Sequence, residues 1–531
     1  MNKIQLFIYT FICLISLCFY VSGSPSATTI TTLYVNSSSS VDSSLCGDSI
    51  DNACGTLSDA IYSFLNTTSI GQGNSILPPL VIEVLQDYIP SADESILFYG
   101  FNLTVQPYSG DGGGQVTFYG QNRGGAYLFN FPSVTNNTAY DSVLVINNIT
   151  FDSFASGIVY YFTQTPVGIS VNNCQMQSSL YNSYLFYLAG ANRASYTNFY
   201  NTNYLIGVSD FLTVRGGSLV FSNGYVTSDS PDNCISLFNT SAYFENSIFS
   251  NNTGASYIIY ATDSTLDIAG TMFMSNQGNY VVGASTSAVS IDGTYFISNT
   301  LLNYGPVFVN QGSLSITNSE FIGNLAYMGG AVYSWGSKLS VSNTLFQDNN
   351  AVSGMAIYMR NNNITITDSV LSYSVNHSKI YTNQNDMIYL YMVPNAQFRD
   401  TAISVGRHGV PSTSFSVFDC VDSVITYEKT DIRTEGHQVL SCQTCLVNND
   451  NVYHYSCSSN TSDSSSGSSS TNSNSTSDSD SSNSSNDYLN VVLYQTSLVL
   501  LIFFISLLLI SLVIIVSCCV RRERKTYLLI Q

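Results

Sequence analysis

A phrase of the form L-x-I-x-N-x-x-F returns along this chain every 23 to 25 residues, and it limits the fold more than any other feature. Phe249, Phe273, Phe296, Phe321 and Phe346 mark it, with gaps of 24, 23, 25 and 25. A period that short, with little charge between landmarks, means stacked coils and not a globular domain around one cleft.

The repeat has a physical reading. Clear copies begin at Leu144, Ile146, Asn148 and Phe151, continue through Ile169, Val171, Asn173 and Met176, and reach Ile364, Ile366, Asp368 and Leu371. Near Asn198 one copy is degenerate, and weaker echoes run to Ile425. Two apolar residues two apart face one side of a strand. The third landmark is Asn, Gly or Asp, the types that tolerate a left-handed backbone, so the chain turns a corner there. Stacking then sets Phe on Phe and Asn on Asn, with the corner amides buried and bonded along the stack. A second asparagine column is expected three residues after each Phe, at Asn252, Asn276, Asn299, Asn324 and Asn349. At roughly 4.8 Å per coil, about a dozen coils span on the order of 60 Å.

Charged residues are 9% of this 531-residue chain, against roughly 25% in ordinary soluble proteins. Solubility must come from Ser, Thr, Asn, Tyr and attached sugar. The net charge is −19, and it is more negative still once Lys3 and the cationic C-terminus are set aside. Such a surface disfavours nucleic acid, heparin-like polymers and anionic lipid as partners.

The remaining segments set a topology. Residues 1–23 carry Lys3, an apolar run and Val21-Ser22-Gly23, the pattern of a cleaved secretory signal. Residues 491–520 contain an apolar stretch from Leu498 long enough to cross a bilayer as one transmembrane helix. Arg521-Arg522-Glu523-Arg524-Lys525 follows, which makes 521–531 a cytoplasmic tail and argues against a cleaved lipid-anchor signal. A type I, single-pass protein of the plasma membrane or an endolysosomal membrane is expected. In the tail, Tyr527-Leu528-Leu529-Ile530 matches the YxxΦ sorting pattern, with Tyr527 and Ile530 filling two adaptor pockets. Residues 458–487 are Ser, Asn, Asp, Thr and Gly without apolar residues, an extended and O-glycosylated stalk. Between signal and stalk the expected order is an N-terminal strand and capping helix (31–66), β-helix repeats (80–430) and a Cys-containing segment (431–457). The helix is read from the Thr56/Asp59 capping signature and from Leu57, Ala60, Ile61, Phe64 and Leu65 on one face.

Eight cysteines fall on the outside of this topology, an even number for an oxidising compartment. Cys46 and Cys54 are expected to pair. Cys442, Cys445 and Cys457 pair with each other or with Cys420, and Cys174 and Cys234 either pair or stay buried and free. The Cys442-x-x-Cys445 spacing has no second CxxC or His pair to complete a zinc site. Sequons stand at Asn36, Asn66, Asn102, Asn136, Asn239, Asn251, Asn363, Asn376, Asn460, Asn474 and Asn483, all candidates for N-glycosylation. Asn148 also heads a sequon but belongs to the corner column, so it is expected to carry no sugar.

Phe321-Ile322-Gly323-Asn324 followed by Gly329-Gly330-Ala331-Val332 resembles the FxxN and GGA[IV] pair of the polymorphic outer membrane protein repeat. Leu33-Tyr34-Val35, Cys46-Gly47, Cys54-Gly55-Thr56-Leu57 and Ala60-Ile61 are similar to the opening of extracellular pectin-lyase-like proteins. The resemblance covers roughly 31–427 and implies an all-β, right-handed parallel β-helix. Its members include adhesins and polysaccharide-cleaving enzymes, so the fold does not choose between them.

The catalytic inventory is thin. Lyases of that fold use a basic proton abstractor near calcium, and its hydrolases use clustered aspartates with Gly-His-Gly. Here no Asp-Asp pair occurs, only Lys338, Lys379 and Lys429 lie outside, and His377, His408, His437 and His454 all fall late. Arg407-His408-Gly409 lacks its aspartates. Asp419, Asp422, Glu428 and Asp431 either bind calcium or are simply solvated. Tyrosines such as Tyr181, Tyr184, Tyr187, Tyr196, Tyr200 and Tyr204 suit sugar or protein contacts, or merely coat strands. The expected function is therefore non-catalytic adhesion or recognition of an extracellular glycan or protein, without a cofactor. The alternative is a membrane-anchored polysaccharide lyase or glycoside hydrolase.

Overall fold

The computed structural model describes residues 30–456 apart from loop segments, the longest being 69–76, 132–141, 375–385 and 407–414. The chain divides into units 1–460 and 461–531. The signal segment, the stalk, the 491–520 span and the tail lie outside the described residues. Among the described residues no helix is long and apolar enough to cross a membrane.

The first unit is an all-β parallel solenoid of right-handed type with about 12 turns. Three parallel sheets run its length, here named A, B and C, of 17, 13 and 15 strands. One coil shows the plan. Thr265–Ala269 lies in sheet A, Met272–Met274 in sheet B and Gln277–Ser285 in sheet C, and Ala288–Asp292 begins the next coil in sheet A. Every edge group is then bonded by the coil above or below. Strands Gln438–Cys442 and Leu446–Asn449 extend sheets C and A past Lys429.

The expected landmark phrase is the A-to-B corner. Asn148, Asn173, Asn201, Asn223, Asn246, Gly270, Gly293, Asn318, Asn343 and Asp368 all sit there, with φ between +47° and +57°. The copy near Asn198 is Thr197, Phe199, Asn201 and Tyr204, in register with both neighbours. The other two corners turn the same way, at Ser275 (φ 55°) and Gly323 (φ 62°) between sheets B and C and at Thr286 (φ 48°) and Gly336 (φ 63°) between sheets C and A.

One expectation is overturned here. The corner amides are exposed, not buried, because a tight left-handed corner points its side chain away from the core. They still bond along the stack, as Asn343 Nδ2 does to Asn318 Oδ1 at 2.7 Å. Asn148 is exposed too, so burial gives no reason to exempt its sequon. Asn66, Asn102, Asn239, Asn251 and Asn363 are likewise exposed and Asn36 half-buried. Asn136, Asn376, Asn460, Asn474 and Asn483 lie outside the described residues.

The buried amide ladder is the second column. Asn252, Asn276, Asn299, Asn324 and Asn349 are at most 3% exposed. Each Nδ2 of the first four donates to the Oδ1 of the next at 2.7–2.8 Å. The same Oδ1 also accepts the backbone N–H of the coil before it. The second Nδ2 hydrogen of Asn276, Asn299, Asn324 and Asn349 goes back to the carbonyl of Phe249, Phe273, Phe296 and Phe321. Beside the ladder those Phe rings and Phe346 stack at 4.6–5.1 Å.

A third column follows the A-to-B corner. Ser247, Thr271, Thr294, Ser319, Thr344 and Ser369 donate their hydroxyls to the carbonyl two residues back. Cys174 occupies this column in its own coil, its Sγ 3.3 Å from Asn172 O. Cys234 lies elsewhere, on sheet C, so the two thiols are buried and unbonded to each other. That decides one pair of alternatives. Cys46–Cys54 forms as expected, and Cys420 pairs with Cys445. Cys445 is therefore bonded to Cys420 and not to Cys442. Cys457 lies outside the described residues.

Helix α1 (Leu57–Thr67) lies against strands Thr31–Val35 and Leu80–Val84. Thr56 Oγ1 accepts the Asp59 N–H at 3.0 Å, and Leu57, Ala60, Ile61 and Phe64 are buried. Phe64 meets Phe101 at 5.5 Å.

Candidate functional site: an aromatic ridge on sheet C

Sheet C turns a register column outward that reads Tyr160, Tyr187, Thr213, Ser236, Tyr260, Gly283, Phe308, Tyr333, Tyr358, Tyr389 and Asp419. Inward neighbours such as Val332, Ile357 and Ile388 are buried, because strand alternation separates the two sets. Consecutive coils bring the rings to coil spacing, so they stack. Tyr333–Tyr358 and Tyr358–Tyr389 lie 4.9 and 4.6 Å apart at 12° and 19°.

Gly283 would break the column, and the gap is filled from the side. Tyr257 stacks on Tyr280 at 4.8 Å, and Tyr280 meets Tyr304 at 5.4 Å and Phe308 at 4.8 Å. Tyr304 then reaches Tyr333 at 4.2 Å. A Cβ on Gly283 would stand 2.5 Å from Tyr257 Cδ1, so this position needs glycine for close approach. The result is one unbroken ridge from Tyr257 to Tyr389. A shorter group, Tyr127, Tyr160, Tyr184 and Tyr187, lies earlier on the same sheet.

Two residues along the strand a second outward column runs Trp335, Arg360 and Tyr391. The Arg360 guanidinium carbon is 5.3 Å from the Trp335 ring centre and 4.7 Å from that of Tyr391. Trp335, the sole tryptophan, is 41% exposed.

The ridge is half-buried except at Tyr333, which is only 4% exposed, and this burial has chemical consequences. Burial first, then mutual repulsion with Tyr304, pushes the Tyr333 phenol up to about 12, and Tyr280 and Tyr358 rise with it. At physiological pH the ridge is a row of neutral hydroxyls. Ring faces are largely spent on each other, so edges and hydroxyls point outward. Trp335 and Tyr391 supply the more open surface beside them.

Asp386 lies below the ridge and is wholly buried. Its carboxylate accepts the Gly354 N–H and the Ser353 hydroxyl. Burial, then the charge of Asp419, raises it to about 7. These contacts explain the truncated glycine motif. Gly329 and Gly354 both turn left-handed, at φ 62° and 63°, and a Cβ on Gly330 would meet Met355 O at 2.1 Å. Asp386 ends that stack of glycines by accepting the last N–H.

The other sequence candidates separate. Glu428 pairs with Arg399 at 2.6 Å and Asp431 with Arg433 at 2.7 Å. Asp422 stands at a corner with φ 48°, and Asp419 lies next to Tyr389. Among the described residues no three His, Cys, Asp or Glu side chains converge. His377, His408, His437, His454 and Lys379 fall outside the described residues. Of the tyrosines named from sequence, Tyr184 and Tyr187 belong to the shorter group, Tyr196 and Tyr200 are on sheet A, Tyr204 is core and Tyr181 is undescribed. The ridge itself was missed. Its signal was an aromatic between apolar residues, as in Val307-Phe308-Val309 and Ile357-Tyr358-Met359, at the repeat period.

No protein-family model matches the chain, and no curated protein matches it. Solved structures with a related course include PfbA, a surface adhesin of Streptococcus pneumoniae, at 12% identity, covering 74% of this chain and 89% of that one, TM-score 0.35. The mannuronan C-5 epimerase AlgE4 A-module of Azotobacter vinelandii gives 10%, 77%, 97% and 0.34 for the same measures. The receptor binding domain of the Siphovirus 9NA tailspike gives 10%, 69%, 72% and 0.29. Likeness this distant carries no argument about what this chain binds.

Proposed function

We propose that this is a non-catalytic cell-surface recognition protein that binds an extended, neutral carbohydrate along sheet C. The unbroken ridge from Tyr257 to Tyr389, with Trp335 and Tyr391 beside it, carries this reading. Neutral hydroxyls repeating at coil spacing suit a polymer that repeats its own hydroxyls, and exposed aromatic surface suits sugar rings. The acidic charge of the chain works against anionic polymers. We further propose that helix α1 caps the first coil as in pectin-lyase-like proteins. Residues 491–520 anchor the chain, the exposed sequons carry sugar, and Tyr527 and Ile530 direct uptake from the surface.

The test is a glycan array probed with the full chain. Wild type should bind neutral polymers, and Trp335→Ala with Tyr391→Ala should lose at least about tenfold in affinity. Equal binding by the variant, or capture of sulfated and uronate glycans only, refutes the proposal. Release of reducing ends or unsaturated uronates from polygalacturonate or chitin-like polymers would establish the enzyme reading instead.

A further inference from the structure

The outer face of sheet B is unlike the other two. One of its columns runs Ile248, Met272, Tyr295, Glu320, Leu345 and Val370 in register. The adjoining column runs Ser250, Met274, Ile297, Ile322, Gln347 and Ser372. Ile248, Met274, Tyr295 and Val370 are 36–43% exposed. The first column continues by one coil at each end, Tyr225 before Ile248 and Ala402 after Val370, and polar side chains bound it beyond them, Gln175 and Asn203 before and Asp431 and Arg433 after. The comparable face of sheet A carries Asp267, Asp292, Lys338 and a field of serines. An exposed apolar stripe rimmed by polar residues marks a contact surface.

The order of residues in the stripe identifies its occupant. Among these twelve residues the one charge is Glu320 and the one phenol is Tyr295, on adjacent coils. They flank the midpoint of the six coils.

We propose that this face binds a second copy of the chain with the coil axes antiparallel. A two-fold axis along the strand direction, between the Tyr295 and Glu320 coils, reverses coil order and keeps each column facing itself. Ile248 then meets Val370 of the second copy, Met272 meets Leu345, Ile297 meets Ile322 and Met274 meets Gln347, while Ser250 is buried with its hydroxyl against Tyr225 and takes no part. The Tyr295 hydroxyl donates to the second copy's Glu320, and symmetry makes that bond twice. A parallel arrangement sets Glu320 against Ile322 and leaves its carboxylate without a donor. A chain of net charge −19 approaches itself best where it carries least charge. The antiparallel pairing sends the two C-terminal ends in opposite directions. If residues 491–520 are the anchor, as proposed above, the copies come from facing membranes. Only that last step rests on the cell-surface reading.

The experiment uses the full chain in detergent. A Tyr295→Cys chain mixed with a Glu320→Cys chain should form an interchain disulfide on oxidation. A Met272→Cys chain mixed with a Met274→Cys chain, which the parallel arrangement would join, should form none. By light scattering, Tyr295→Glu should weaken self-association about tenfold or more by opposing two carboxylates, and adding Glu320→Lys should restore it. A monomer at every concentration, or crosslinking of the 272/274 mixture, overturns the inference. Two labelled cell populations expressing the chain then test the membrane step. Crosslinks without mixed aggregates would leave the antiparallel pair standing and refute adhesion between cells.

Discussion

The side-chain amide of Asn299 donates to Asn324 Oδ1 at 2.8 Å, and Asn324 stands 25 residues later in the chain but one coil away in space. That amide also donates to Phe273 O at 3.0 Å, and its oxygen accepts both the Asn276 N–H and the Asn276 amide. All hydrogen-bonding groups of the side chain are used in a site closed to water. Asn299→Leu keeps comparable bulk but orphans donors and acceptors on both neighbours. It should cost about 3 kcal/mol or more, since each unsatisfied buried group costs about 1–3 kcal/mol. Asn343→Ser, at an exposed rung of the corner column, should cost less than about 1 kcal/mol. Equilibrium urea unfolding of the two variants compares them directly; equal costs would contradict the ladder.

Asp386 makes stability depend on pH in an unusual sense. Its folded value of about 7 lies above the ordinary carboxyl value of 3.8. Well below pH 3.8 both states are protonated and burial costs no charge. Between about pH 4 and 7 the unfolded state ionises first, so the contribution of this group is lost as pH rises. Asp386→Asn retains an acceptor for the Gly354 N–H. The variant should gain relative to wild type on going from pH 4 to pH 8, by on the order of a few kcal/mol. Melting curves at the two pH values provide the check, and a constant difference would refute it.

Gly283→Val should damage the ridge and spare the core. Its Cβ drives into Tyr257, an outer ring, and comes next closest to Tyr260, also on the outer face. Tyr257 must leave Tyr280, and the carbohydrate affinity proposed for the ridge should fall several-fold with a melting temperature within a few degrees of wild type. Titration of the variant against the polymer chosen from the array measures this. Unchanged affinity would remove Tyr257 from the site.

Cys174 and Cys234 should resist alkylation in the native protein. Burial raises both thiols, Cys174 to about 12, so little thiolate exists at neutral pH. Labelling without reductant should reach both only after unfolding in denaturant, while Cys46, Cys54, Cys420 and Cys445 stay unmodified. Mass spectrometry of peptides before and after unfolding decides it.

Sequence reading and structure part company at specific atoms. The repeat period, the inward Phe and the second asparagine column were legible because each obeys a local rule repeated many times. The direction of the corner amides was not, since a positive φ reverses which way a side chain leaves the backbone and one-letter spacing does not show this. Cys174 could have been placed by noticing that it replaces Ser or Thr after the corner. The ridge was hidden because its continuity depends on Tyr257 and Tyr280, which come from outside the register column. Asp386 was passed over because no neighbour in sequence marks it; Ser353 and Gly354 reach it from the preceding coil.

The amide rungs also make length negotiable. Each rung from Asn276 to Asn324 takes the same bonds from the winding before and gives the same bonds to the winding after. Excising residues 275–297 would therefore bring Asn252 beside Asn299, with Phe249 still under Phe273 and Phe273 now under Phe321. Such a chain can shed or acquire a whole winding at mid-length without inventing a new contact, and so can set how far it reaches.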